Sequence, residues 1–246
     1  MRLAILSDIH ANREALEACL AHAQAQRADR RVYLGDLVGY GADVVAVVDR
    51  VAQDVAQGAL AVRGNHDDAL ERPAGYFNHE AQAALEHARR ALTAAQRAFL
   101  TALPLVVQEG TLCFVHASAD RPDRWDYVDG TRAAAKCMAA TDAAFTFCGH
   151  VHAQRLYFES RPGRTGEFEP RAGTAIPVAA TRRWLAIVGS VGQPRDGRTA
   201  AQYTLFDTER REITFHRVAY DASAAAARIR AAGLPEALAY RVEAGI

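Results

Sequence analysis

The order of apolar runs predicts an α/β fold of two packed sheets flanked by helices, in a single domain over residues 1–246. Three observations carry that expectation. The first part of the chain alternates strand-length apolar runs with stretches of helical periodicity, the signature of crossover connections and a largely parallel sheet. From Leu105 onward, short apolar runs separated by Gly- and Pro-rich turns read as mostly antiparallel strands. No linker, repeat or low-complexity tract interrupts the 246 residues, half of which are hydrophobic.

Leu3 to Leu6 is the first strand, and Asn12 is placed to cap the helix that follows, since its side-chain oxygen can accept an orphan backbone N–H. The unit recurs. Val32 to Leu34 precedes helical sequence from about Val44 to Val55, and Leu60 to Val62 precedes a loop and further helical sequence from about Asn78 to Leu103. Within it, Thr93 and Gln96 have capping-box spacing. Strands are then expected at Leu105–Val107, Leu112–Val115, Ala144–Cys148, Arg155–Glu159, Ala175–Val178, Trp184–Val188, Gln202–Phe206 and Ile213–Arg217, with a helix near Gly130–Ala140. Helices at about Asp221–Ala232 and Pro235–Val242 close the chain, with Gly233 and Pro235 as stop and restart signals.

Composition excludes several classes. Lys+Arg and Asp+Glu both number 29, so no basic surplus exists to grip long nucleic acid through its backbone. No run approaches ~18 uncharged apolar residues, which argues against a membrane partner. Met1 leads directly into a strand without a basic n-region or cleavage site, and the expected location is the cytoplasm. Cys19, Cys113, Cys137 and Cys148 lack paired spacing and read as reduced core thiols.

Chemistry collects where strand-like runs end. Ile5-Leu6-Ser7 leads to Asp8 and His10, Leu34-Gly35 to Asp36, Arg63-Gly64 to Asn65, His66 and Asp67, Phe114-Val115 to His116, and Cys148-Gly149 to His150 and His152. In open α/β sheets the carboxyl ends of strands converge on one edge, so these residues are brought together. Carboxylates crowded there would resist ionisation without positive charge; no Lys lies in these segments, and Arg63 is their only Arg. Bound cations resolve the conflict. Imidazole with carboxylate and amide oxygen suits Mn, Fe, Zn or Ni, with Mn the first choice, and the absence of thiols argues against a closed structural zinc site. Seven potential ligands, Asp8, His10, Asp36, Asn65, His116, His150 and His152, are better matched to two ions than one. A carboxylate can bridge such a pair at ~3.5–4 Å, with a shared hydroxide as nucleophile. His22, His79, His87 and His216 lie within helix or strand patterns and read as structural.

In order and spacing, these blocks resemble the five motifs of the calcineurin-like metallophosphoesterases, from residue 3 to about 152. The opening Ser7 to Arg13 and the later Gly189 to Gly197 are similar to the small bacterial and archaeal phosphodiesterase branch. The resemblance implies a four-layer α/β/β/α sandwich of two mixed sheets, with a dimetal centre at the sheet edge. It implies that Asp8, His10 and His152 hold one ion, that Asn65, His116 and His150 hold the other, and that Asp36 bridges. His66 matches the family histidine that contacts substrate phosphate and can protonate the leaving oxygen, with Asp67 beside it as its orienting partner. Phosphoprotein phosphatases of that superfamily carry an Asp-Arg pair shortly after the bridging Asp; here the positions read Gly39-Tyr40. A diester, with one charge fewer than a monoester dianion, needs less clamping.

The expected function is therefore dimetal-dependent hydrolysis of small phosphodiesters or phosphoanhydrides, nucleotide-derived compounds included. A phosphomonoesterase and a non-catalytic scaffold of the same fold are the alternatives. Asn12 and Arg195 are candidate substrate contacts, and the Gly189 to Arg198 loop could present backbone N–H groups and Arg195 or Arg198 to an anion. The aromatic and basic segments Asp120 to Tyr127 and Tyr76 to Asn78 could stack on a nucleobase, with solvated loop or rim packing as the alternative. The oligomeric state is left open.

Overall fold

A computed structural model describes residues 1–72, 75–161 and 163–246. In chain order it contains β1 (Arg2–Leu6), α1 (Arg13–Ala25), β2 (Arg30–Tyr33), α2 (Val44–Ala56), β3 (Leu60–Ala61), the one-turn α3 (Asn65–Asp68), α4 (His79–Ala91) and α5 (Ala94–Ala102). There follow β4 (Val106–Glu109), β5 (Leu112–Val115), α6 (Thr131–Ala139), β6 (Phe145–Cys148), β7 (Gln154–Arg161), β8 (Arg164–Phe168) and β9 (Ala175–Pro177). The chain ends with β10 (Trp184–Val188), β11 (Ala200–Asp207), β12 (Glu212–Ala219), α7 (Ala222–Ala231) and α8 (Glu236–Ala244).

Two six-stranded sheets result, ordered β3-β2-β1-β11-β12-β9 and β4-β5-β6-β10-β7-β8. Both are mixed, as the resemblance implied; what differs from the run-by-run reading is that late antiparallel strands join the parallel strands of the first part in one sheet. β1, β2 and β3 are parallel as expected, but β11 pairs antiparallel with β1 and brings β12 and β9 into the same sheet. β1 is buried along nearly its whole length, and its second edge must find a partner; a late hairpin supplies it. In the other sheet β5, β6 and β10 are parallel; α6 makes the crossover between β5 and β6, and the segment carrying β7 to β9 connects β6 to β10.

Alternation along β1 shows the layering. Leu3 and Ile5 join Phe114, Phe147, Phe206 and Phe215 in the core between the sheets, while Ala4 and Leu6 face the layer of α1, α2, α4 and α5. On the far side of the second sheet, Leu185 and Ile187 pack with Cys137 and Met138 of α6. This is the four-layer α/β/β/α sandwich, and strands covered on both faces explain why the runs are continuously apolar. α7 and α8 form a satellite cluster that reaches Ala84 of α4.

Local signals set most boundaries. Asn12 Oδ1 accepts from Ala15 N at 3.1 Å and caps α1. The reciprocal pair Gln96 N to Thr93 Oγ1 (3.2 Å) and Thr93 N to Gln96 Oε1 (2.9 Å) starts α5, so the capping box divides what the periodicity reads as one helical stretch, with Leu92 extended between the two helices. β8 went unrecognised: Arg164–Phe168 is a charged edge strand without apolar alternation. All four cysteines are free thiols and buried. Among the described residues no helix is long and apolar enough to cross a membrane.

Candidate metal centre

β1, β2, β3, β5 and β6 end at one edge of the sandwich, and the residues after them meet there. Asp8, His10, Asp36, Asn65, His116, His150 and His152 are all at most 7% exposed. His152 Nε2 lies 3.2 Å and His10 Nε2 3.9 Å from Asp8 Oδ1. Asp36 Oδ2 stands between two imidazoles, 3.8 Å from His10 Nε2 and 3.4 Å from His116 Nε2. His116 Nε2 is also 3.1 Å from both Asn65 Oδ1 and His150 Nδ1. Three compact donor groups therefore form among the described residues: Asp8 with His10 and His152, His10 with Asp36 and His66, and Asp36 with His116 and His150.

The donor chemistry fits divalent cations. His10, His116 and His152 each place Nδ1 against a backbone carbonyl, of Val38 (3.1 Å), Leu34 (2.7 Å) and Gln193 (2.6 Å). That contact makes Nδ1 the proton-bearing nitrogen and turns a lone pair on each Nε2 toward the centre, the arrangement that orients histidine ligands. His10 Nε2 and His152 Nε2 are 3.1 Å apart. Two lone pairs at that separation repel unless a cation or proton lies with them. Asp8 Oδ1 is buried without a hydrogen-bond partner, although Asp8 Oδ2 accepts from His150 N at 2.9 Å. Burial works to raise Asp8, but the neighbouring His152 imidazole outweighs it and holds the carboxyl well below the usual range. Asp36 is held low in the same way, burial being overcome chiefly by His116 and His66. His116 is pushed up to about 9: burial opposes its charge, but Asp36 beside it wins. Burial and His116 push His150 down to about 3, and burial and His152 hold His10 well below its ordinary value. At the centre ionised carboxylates meet His10 and His150 held neutral and His116 held charged by Asp36, while the unpartnered Asp8 Oδ1 and the facing Nε2 atoms of His10 and His152 call for further positive charge.

Backbone conformation keeps these side chains inward. Asp8, His10, Asp36, His150 and His152 all have φ between 47° and 65°, the left-handed region. Such residues cost of order 1–3 kcal/mol each and persist where the surroundings over-determine them. Gly149 shows how tight those surroundings are: a Cβ there would collide with Ser7 Oγ and Asp8 Oδ2.

The other candidates divide. His66 lies at the centre, its N–H donating to Asp36 Oδ1 at 2.8 Å and its ring packed on His10, Tyr40 and Phe77 at 4.6–4.9 Å between centroids. Its Nδ1 is buried and unpartnered, and burial pushes its pKa down to about 4. Asp67 does not reach that ring. Its carboxylate accepts from the N–H groups of Leu37 (2.9 Å), Gly64 (3.0 Å) and Val38 (3.3 Å), tying the segment after Asp36 to the start of α3. Asn12 spends its oxygen on the α1 cap and its amide on Gly192 O at 2.9 Å, and it does not line the cavity. Arg195 does line it, with its guanidinium 5.9 Å from the Tyr40 ring centre.

The Gly189 to Arg198 loop is not an anion-binding nest. Amides of Val191, Gly192, Gln193, Arg195 and Gly197 donate to Ser7 O, Asp8 O, Ser190 Oγ, His152 O and Gly245 O, so these five backbone donors are spent inside the protein. What the sequence reading missed is that this loop orients the centre: Gln193 O receives His152, and Ser190 Oγ donates to Asp8 O at 2.9 Å. No local pattern links residue 193 to residue 152.

Beyond the donors opens a cavity of about 460 Å³ with aromatic walls. Tyr127 stacks on His150 at 4.1 Å, Trp125 stands edge-on to His116, and Tyr40, Tyr76 and Phe77 line the opposite side.

Residues 1–211 match the family model of the calcineurin-like phosphoesterase superfamily domain, and the chain belongs to that superfamily. A crystal structure of a metallophosphoesterase from Sphaerobacter thermophilus is 35% identical, superimposes with a TM-score of 0.87 and covers both chains completely. The uncharacterized protein MJ0912 of Methanocaldococcus jannaschii is 32% identical over 254 residues, 99% of this chain and 98% of that protein. The hypothetical protein PH1004 of Pyrococcus horikoshii OT3, at 19% identity, shares the fold with a TM-score of 0.78 over 100% of this chain and 98% of its own. Family and donor clusters together support a metal-dependent phosphoesterase.

Proposed function

We propose that the protein hydrolyses small, nucleotide-derived phosphodiesters or phosphoanhydrides with two divalent ions, Mn being the first choice. Asp8, His10 and His152 would hold one ion, Asn65, His116 and His150 the other, and Asp36 would bridge. The observation that carries this reading is Asp36 Oδ2 standing within 3.4 and 3.8 Å of imidazoles from two different donor groups. When bound, such an ion pair supplies Lewis acidity and a nucleophile at neutral pH.

The chain's own residues supply the rest. The carbonyls behind His10, His116 and His152 fix which nitrogen faces the centre. Asp67 fixes the loop that carries Asp36. His66, buried yet lining the cavity and held by aromatic rings, is the group placed to give a proton to the departing oxygen. Tyr40 sits where phosphoprotein phosphatases of the superfamily carry Arg, and its ring lies 4.5 Å from His10 and 4.6 Å from His66. An aromatic ring in that place favours a monoanionic diester over a monoester dianion, and the surrounding walls offer faces for a base. Four buried free thiols accord with a reducing, cytoplasmic setting.

The experiment is a comparison of kcat/KM for bis-p-nitrophenyl phosphate, p-nitrophenyl phosphate and a dinucleoside polyphosphate with Mn²⁺ present. Preference for the diester or the anhydride is expected; preference for the monoester would overturn the ranking.

A further inference from the structure

Next to the metal centre lies a second groove, of about 700 Å³, that the reading above does not use. The two cavities share Arg195 as a wall, and Ala153, which lines the groove, directly follows the ligand candidate His152. One peptide unit, about 3.8 Å of backbone, separates them along the chain. Arg195 is fixed in this partition. Its N–H donates to His152 O at 3.2 Å, and its guanidinium donates to Gln193 Oε1 at 3.2 Å and to Tyr40 Oη at 3.5 Å.

The groove is basic in a chain whose net charge is zero. Two of its arginines are neutralised: Arg155 pairs with Glu167 (3.3 Å) and Glu169 (3.4 Å), and Arg217 pairs with Asp196. Those pairs build the frame. Arg171, from the loop after β8, and Arg198, from the loop after β10, enter the same groove from different elements and have no carboxylate partner among the described residues. With Arg195 they make three uncompensated guanidiniums around one opening. Guanidiniums are planar donors that match phosphate oxygens, and like charges lining one opening favour an anion between them.

We propose that this groove is a second phosphate subsite, in which Arg171 and Arg198 bind a further phosphate of a substrate whose reacting phosphorus lies at the metal centre. The inference rests on the hydrolase reading and narrows it to polyanionic nucleotide compounds. The further phosphate can come from a 5′-phosphorylated dinucleotide or from a longer polyphosphate bridge, and the test separates these sources.

In the Mn-loaded enzyme, kcat/KM is compared within two pairs: ApA against its 5′-phosphorylated form pApA, and diadenosine diphosphate against diadenosine tetraphosphate. In at least one pair, the member with more phosphate is expected to be preferred about tenfold or more, the scale of a charged hydrogen bond. Arg171→Gln with Arg198→Gln should bring that ratio close to one. Binding of pApA to metal-free protein, followed by calorimetry at low salt, should weaken by a similar factor in the double variant. Absence of preference in both pairs, or a ratio untouched by the double variant, overturns the subsite while leaving the hydrolase reading in place. If the loaded enzyme cleaves none of the four compounds but metal-free binding of pApA still depends on these arginines, the hydrolase reading fails and the anion groove stands.

Discussion

Imidazoles gather in two places against the first sheet, and only one of the two is organised for cations. At the strand ends, five histidines meet two carboxylates and an amide oxygen, largely on left-handed backbone, with lone pairs turned to a common centre. On the helix-covered face, His22 of α1 and His216 of β12 flank Tyr203 of β11. His22 Nδ1 is 2.8 Å from Tyr203 Oη, and the His216 ring stacks on Tyr203 at 5.0 Å. That second cluster rides on regular helix and strand, and among the described residues it joins no group of metal-type donors. The difference teaches that histidine density does not make a site. What makes one is carboxylate company, carbonyls behind three of the rings, and backbone held where regular structure would not leave it.

The largest test of the contrast is Asp36→Asn. It should lower kcat/KM by about 10⁴ or more, because both proposed ions lose a shared anionic ligand; metal content by mass spectrometry should fall with it. A variant retaining two ions per chain would leave the edge no more cation-specific than the His22 cluster. His66→Ala sharpens the division within the edge: metal content unchanged and turnover down by roughly 10²–10⁴, the range for a general acid. Undiminished turnover would remove His66 from the chemistry.

Smaller effects concern stability. Chelation should lower the Tm, and Mn²⁺ restored to a hundredfold above its Kd should return about 2.7 kcal/mol; the same shift should survive in Tyr203→Phe, whose own cost, read by urea denaturation, should be about 1 kcal/mol for one lost hydrogen bond. A metal-dependent shift abolished by Tyr203→Phe would join the two clusters that the geometry separates. The smallest effect is a pH slope. Burial, with His22 nearby, pushes His216 down to about 4 from its ordinary 6.5, so the folded protein holds it neutral. Its contribution is complete above about pH 6.5 and is lost as pH falls toward 4, where the unfolded chain binds a proton that the folded chain does not. His216→Phe should flatten the fall in the urea midpoint between pH 7 and 5; an unchanged slope would show that the ring titrates normally.

Much of the site was legible because strand ends are readable. An apolar run must stop where the sheet stops; Asp8, Asp36, His116 and His150 each stand directly after such a stop or one glycine or serine beyond it, and Asn65 follows Val62 by way of Arg63 and Gly64. The helix caps at Asn12, Asn78, Thr93 and Asp221 were equally local. The Asp67 role was not legible, since adjacency to His66 suggested a pair, whereas the carboxylate turns to three backbone amides brought by another loop. Nor was the role of the Gly189 to Arg198 loop, whose amides could have faced an anion; those of Val191, Gly192 and Arg195 donate to Ser7, Asp8 and His152.

The amino-acid order alone determined which metal-type donors follow the strand ends, where helices and most strands begin, and that an α/β sandwich with a donor-rich edge would form. These depend on side-chain type and near-neighbour spacing, which act over a few residues. Only the tertiary structure decided that β11 completes the sheet begun by β1, that Gln193 orients His152, and that arginines from two loops share a groove with Arg195. Such pairings join residues far apart in the chain, and they are selected by which edges, lone pairs and charges remain unsatisfied once the local elements have packed.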